Sequence, residues 1–195
     1  MQKRFPGRTD IALLKLASLI AQNLTYSYPS QAQWQQQNPF KNYSSIGDIG
    51  WVISSQAALY AEDYGWDISY EALVAEICGQ FIKNYDPARE HCWIAEMAGE
   101  RIGSVFLVNG GDGVAKLRLL GLDKKARGLG VGRALVEQCI RGARERGYRK
   151  MTLWTQSVLV AARGIYQRAG FVKVAEQAHH SFGVDLVGET WEMEL

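Results

Sequence analysis

Between Leu120 and Ala134 the chain reads LGLDKKARGLGVGRA, and this run holds the residue types and spacing that bear most directly on chemistry. Gly128, Gly130 and Gly132 interrupt a basic stretch that contains Lys124, Lys125, Arg127 and Arg133, and a helical pattern follows at once. Glycine lets the backbone turn tightly and leaves nearby N–H groups unobstructed. Backed by the positive end of a helix dipole, the N–H groups from Gly128 through Leu129, Gly130, Val131 and Gly132 would form a pocket for a phosphate or diphosphate. A dinucleotide-type G-x-G-x-x-G does not fit, because its third glycine falls on Arg133 or Leu135, and no Gly-Lys-Ser/Thr of a nucleotide-triphosphate loop follows. A second pattern, Tyr166-x-x-x-Gly170-Phe171, lies downstream.

These residues need a strand to deliver them and a helix to anchor them. Val114 to Asp123 alternates imperfectly as a strand, with Gly121 near its end, where glycine marks a bulge or a close approach to the backbone. Gly130 to Arg146 carries Val131, Leu135, Cys139 and Ala143 on one helical face and stops at Gly147. Lys150 to Thr155 reads as a strand, Leu159 to Ala169 as a helix, and Phe171 to Ala175 and Thr190 to Leu195 as further strands. Upstream lie two helices, Gly50 to Tyr64 and one capped by Ser69 with Leu73, Ile77 and Phe81 on its apolar face. Two strands follow, His91 to Met97 and Arg101 to Val108, joined by a turn at Ala98-Gly99-Glu100. A strand meander leading into a β-α-β unit implies a mixed α/β sheet with helices on both faces.

With 195 residues, 47% of them hydrophobic and 11% aromatic, the chain suits one compact domain rather than two. Residues 1–45 read as a helical appendage and linker, with apolar residues at helical spacing from Ile11 to Leu24 and a polar, glutamine-rich connector up to Pro39. The domain proper runs from 46 to 195. No apolar run approaches the ~20 residues of a bilayer span, and Asp10 and Lys15 interrupt any leader-like stretch. Cys78, Cys92 and Cys139 are scattered, which suggests reduced thiols in a cytoplasmic protein, with no metal site expected. The net charge of +2 hides an asymmetry: residues 113–175 hold 14 Lys/Arg against 3 Asp/Glu. That segment is suited to sit beside an anion.

The R-x-x-G-x-G spacing at Arg127, Gly130 and Gly132, together with A-x-x-x-Y-x-x-x-G-F from Ala162 to Phe171, resembles the GNAT superfamily of acyl-CoA N-acyltransferases. The segment from Gly47 to Trp66 further resembles the acetyltransferase half of fusions with a MarR-type domain. The first resemblance implies a mixed, mostly antiparallel central sheet whose fourth and fifth strands splay apart. It implies that the loop N–H groups hold the diphosphate of acetyl-CoA. Main-chain groups of Leu120 and Leu122 would pair with the pantetheine arm, Gly121 would sit at the splaying bulge, and a Leu122 N–H would serve the oxyanion. Tyr166 would protonate the departing thiolate, or would simply pack. Arg163 would help bind phosphates, or would be solvated.

The family often carries an asparagine where this chain has Leu159. A general base is not named by the sequence: Glu96, His91, His179 and His180 are the candidates, with the adjacent histidines expected in a surface turn. For the acceptor, Asp63 and its acidic neighbours, Trp66 and Trp154 are the candidate contacts, by charge and aromatic faces. The expected function is acetyl transfer from acetyl-CoA to a primary amine by direct attack, without a covalent enzyme intermediate. The alternative is a non-catalytic acyl-CoA-binding regulatory module. No nucleic-acid or membrane partner is expected, and a homodimer is left open.

Overall fold

The computed structural model describes residues 40–43 and 45–195. The helix and connector expected in residues 1–39 lie outside the described residues. A seven-stranded sheet has the order β1-β2-β3-β4-β5-β7-β6. Its strands are β1 Phe40–Asn42, β2 His91–Met97, β3 Glu100–Asn109, β4 Val114–Leu122, β5 Lys150–Gln156, β6 Val172–Ser181 and β7 Val184–Glu194. Only β4 and β5 run parallel; every other neighbouring pair is antiparallel. The expected mixed, mostly antiparallel sheet is therefore what the chain forms. It begins earlier than expected, because Phe40–Asn42 pairs with Trp93–Ala95 and so belongs to the sheet rather than to the connector.

Among the described residues, four helices cover both faces: α1 Asp48–Tyr64, α2 Ile68–Asn84, α3 Val131–Glu145 and α4 Val160–Ala169. The period-two alternation of the strands feeds two separate cores. In β2, Cys92 and Ile94 pack toward α1 and α2, while Trp93, Ala95 and Met97 pack toward α3 and α4. In β3, Phe106 joins the first core, and Val105 and Leu107 join the second. The α3 seam is Val131, Leu135, Cys139 and Ala143, as its spacing predicts.

Three local expectations are corrected. Helix α2 is capped by Asp67, whose carboxylate accepts from the Ser69 N–H at 2.9 Å, and Ser69 lies inside the helix. Its buried seam is Tyr70, Val74, Cys78 and Phe81, so of the expected face Leu73 and Ile77 turn partly aside. The C-terminal strands are far longer than Phe171–Ala175 and Thr190–Leu195, and form one hairpin closed at Phe182-Gly183. Both turn residues have positive φ, 57° and 77°, which matches the twist of a two-residue hairpin loop. The Phe182 carbonyl accepts from the Asp67 N–H at 3.0 Å, and the Phe182 ring is buried against Trp66 and Tyr70. The hairpin tip is thereby fixed to the α1–α2 junction.

Candidate active site

The basic loop is built as its residue types require. The Asp123 carboxylate accepts from the Lys125 N–H at 3.0 Å and starts a short 3-10 turn over Lys124–Ala126. Gly128 and Gly130 then take φ of 76° and 81°, a left-handed backbone that glycine adopts without strain. Helix α3 starts at Val131, and no side chain caps it at Gly130. The first N–H groups of a helix have no intrahelical acceptor, so this end offers donors and a positive dipole to an anion. A Cβ on Gly132 would lie 2.8 Å from Leu122 and 3.0 Å from Ile165, so its absence lets α3 enter close to both β4 and α4.

Acidic side chains hold the loop's cations in place. Arg127 and Lys124 both bind Asp63 near the end of α1, Lys124 also binds Glu62, Lys125 binds Glu100, and Arg133 binds Glu137 at 2.7 Å. The Arg127 guanidinium, then Lys124, holds the Asp63 carboxyl below its ordinary range. Asp63, expected to meet the acceptor, is instead a strut of the loop and does not line the large cavity.

Strands β4 and β5 pair only from Val114–Leu117 against Lys150–Leu153 and then part. On the other side β4 shifts register against β3 opposite Val105, and Leu119 there has a φ of 49°. The bulge therefore lies at Leu119 rather than at Gly121, which pairs with Ser104. Its carbonyl accepts from Gln56 Nε2 at 2.9 Å and from the Ser104 hydroxyl at 3.2 Å. Gly121 is required for a different reason: a Cβ there would lie 2.8 Å from the Gln56 amide.

The parting opens a cavity of about 590 Å³, within the range that holds small ligands. Leu120 lines it, while Leu122 lines a smaller pocket of about 250 Å³ beside Asp123, Lys124 and Glu62. Gln56 borders both. Trp66 and Trp154, both expected at the acceptor, line the large cavity, as do Tyr60, Tyr70, Phe182 and Tyr166. Burial drives the Tyr166 phenol above its ordinary range, with neighbouring Tyr60 adding to the shift. Burial likewise pushes Tyr60 up to about 12. Arg163 is engaged by other groups: its Nε donates to Glu189 at 2.9 Å and its Nη1 to the Ser157 carbonyl at 3.2 Å. This ion pair ties α4 to β7.

The three histidines separate clearly. His91 meets Asn42 at 2.8 Å, and burial holds its pKa down. His180 pairs with Asp185 on an exposed strand. His179, in β6 and not in a turn, has Nδ1 2.9 Å from the Ser181 hydroxyl and Nε2 3.1 Å from Gln156 Oε1. A Gln carbonyl oxygen only accepts, so Nε2 carries the hydrogen and the Nδ1 lone pair faces Ser181. Ser181 and Gln156 line the cavity, and the buried Gln156 Nε2 has no partner among the described residues. No sequence pattern announces this Ser181–His179–Gln156 chain, because Gln156 ends β5, 23 positions before His179 on β6. Glu96 is held by Lys41 at 2.6 Å across β1 and β2.

The Acetyltransferase (GNAT) family profile matches residues 55–171. Human N-acetyltransferase 8B is 31% identical over 93 residues, covering 45% of this chain and 41% of that protein. Mycothiol acetyltransferase of Cellulomonas flavigena is 35% identical over 101 residues, covering 47% and 28%. The chain thus spans well under half the length of these curated relatives. Ribosomal-protein-alanine N-acetyltransferase from Brucella melitensis superposes with a TM-score of 0.64 at 18% identity, covering 80% of this chain and 99% of that one. An acetyltransferase from Bacillus anthracis, solved in complex with acetyl coenzyme A, has a TM-score of 0.51 at 28% identity, covering 57% and 65%. The glycine loop before α3, the parted β4 and β5 and the matched profile together place the chain in the GNAT acetyltransferase family, whose acetyl donor is acetyl-CoA.

Proposed function

We propose that this domain transfers an acetyl group from acetyl-CoA to a primary amine by direct attack of the amine on the thioester. One observation carries the reading. Helix α3 starts without a side-chain cap in contact with the end of β4, the strand that parts from β5 to open the cavity holding Tyr166. The loop from Arg127 to Arg133 binds the diphosphate through main-chain N–H groups. Beyond Leu117 the β5-facing edge of β4 has no strand partner among the described residues, so its main chain is open to the pantetheine amides. A main-chain N–H on that edge stabilises the oxyanion.

The proton transfers fall to two side chains. Tyr166 is held protonated by its burial and donates to the departing thiolate. The amine loses its proton to His179 through the Ser181 hydroxyl, with Gln156 fixing the imidazole tautomer. Two carriers, separate by element, allow gain and loss of protons in one turnover without a covalent enzyme intermediate.

The test is thermal stabilisation by acetyl-CoA, followed by coenzyme A release with a panel of amines. At 100-fold excess over its dissociation constant, acetyl-CoA should add about 2.7 kcal/mol. His179→Ala should lower kcat about 100-fold, and free imidazole should restore part of the loss. Binding without release on any amine would favour a regulatory acyl-CoA-binding module instead.

A further inference from the structure

Among the described residues lining the large cavity, Arg118 alone carries a charge, and it is a cation. It makes no ion pair among the described residues. The register Phe106↔Arg118 sets it on the same face of the sheet as Phe106, toward α1 and α2. The cavity wall there is largely apolar and aromatic, with Trp66, Leu73, Ile77, Trp154 and Phe182, interrupted by the polar groups of Gln56, Ser69 and Tyr70. The nearby carboxylates are engaged elsewhere. Glu62 and Asp63 hold the basic loop, Asp67 caps α2, and Glu189 is buried under Arg163 and Trp191.

Arg118 is exposed to solvent, and no carboxylate stands among the described residues lining the cavity. A di- or polycationic acceptor would set extra ammonium groups beside that guanidinium with no carboxylate to receive them, and like-charge repulsion opposes this. A carboxylate beside the amine reverses the sign, because Arg118 offers a planar fork of donors to it.

We infer that the acceptor is an amine bearing a carboxylate and a large apolar body, of the kind presented by a free α-amino acid with an aromatic or aliphatic side chain. The carboxylate meets Arg118, and the side chain lies on the Trp66–Phe182 wall. This inference rests on the acetyl-transfer reading above. A peptide N-terminus of the same residue, with an amide in place of the carboxylate, is the poorer substrate.

The experiment measures coenzyme A release with L-phenylalanine, L-leucine, L-phenylalaninamide, phenethylamine and spermidine, with acetyl-CoA binding followed by calorimetry on the same protein. The acids should exceed the amide and phenethylamine by about 10- to 100-fold in kcat/KM, with spermidine poorer still. Arg118→Gln should raise KM for the acids by about the same factor while shifting the amide by no more than about twofold. Arg118→Lys, which keeps the charge but loses the fork, should recover part of the difference. If the amide, phenethylamine or spermidine is used as well as the acids, or if protein that binds acetyl-CoA acetylates none of the acids, the inference is overturned. If acetyl-CoA itself does not bind, the acetyl-transfer reading falls with it.

Discussion

The side-chain amide of Gln56 donates to the main-chain carbonyl of Leu119 at 2.9 Å, joining the middle of α1 to the bulge of β4. Its oxygen accepts from the Tyr70 hydroxyl at 3.1 Å, so both ends of this buried amide are held. Gln56 therefore cannot swing away from a side chain grown at Gly121, where a Cβ would meet its Nε2, Cγ and Cδ at 2.8 to 3.0 Å. Gly121→Ala should cost about 1–3 kcal/mol through overpacking. Gln56→Ala should cost about 1–3 kcal/mol by leaving buried groups unpaired. In the double variant the clash is gone, so urea unfolding should show a total well below the sum, with a coupling of about 0.5–3 kcal/mol. Strict additivity would mean that these residues do not meet.

The loop makes a second, independent prediction. Gly130 stands at φ 81° as the residue before α3. A glutamate there suffers strain of about 1–2 kcal/mol and sets a negative charge where the diphosphate would bind. Calorimetry on Gly130→Glu should show acetyl-CoA affinity lowered by more than about tenfold, with the protein still folded at 25 °C. Gly130→Asn tolerates the left-handed backbone without the charge and should keep most of the affinity. A dissociation constant unmoved by the glutamate would remove the loop from the site.

Tyr166→Phe separates chemistry from binding. The ring keeps its contacts with the α3/α4 core and only the hydroxyl is lost. Acyl transfer should slow about 100-fold in kcat, while acetyl-CoA affinity stays near that of the parent. Because burial raises the Tyr166 pKa, the wild-type phenol remains protonated through the neutral range and sets no alkaline limb there. A kcat unchanged by the substitution would leave Tyr166 as a packing residue.

What the sequence made legible was local. Three glycines, four cations and the start of α3 lie within ten residues, and their chemistry is read from neighbours along the chain. The wall proposed to meet the acceptor, by contrast, joins Trp66, Leu73, Trp154 and Phe182 from four separate elements or turns. The strut between Asp63 and Arg127 spans 64 positions, and no periodicity announces it, so Asp63 reads as a free acid until the fold pairs it. Strand β6 is exposed along most of its length and so lacks the apolar alternation that marks a strand. Its turn hides as well, because Phe182 occupies a left-handed position that usually advertises itself with Gly or Asn. Gly121 signals a bulge or a close approach: the structure gives it the close approach, of Gln56, and sets the bulge at Leu119, which no residue type announces.

The buried phenols and thiols around the cavity and the α3 seam make stability fall with alkaline pH. Burial raises Tyr60 from 10.0 to about 12 and Cys78 from 9.0 to about 12, and it raises Tyr70, Tyr166 and Cys139 in the same direction. Between the unfolded and folded values the folded chain keeps protons that the unfolded chain has lost, so unfolding is favoured as pH rises. The stabilising contribution is complete below pH 9, where the unfolded thiols and phenols also hold their protons. It is lost from about pH 9 upward as the folded groups, two of them at about 12, titrate in turn. Each such group should lower the unfolding free energy by about 1.4 kcal/mol per pH unit within its window. Urea midpoints between pH 8 and 11 should therefore hold steady at first and then fall progressively. Tyr166→Phe removes one titrating group from the linkage, so its fall should be shallower than that of the parent. Midpoints that stay level to pH 11 would mean that water reaches these hydroxyls and thiols in the folded chain, and Tyr166 would then lose the dry setting that keeps it protonated.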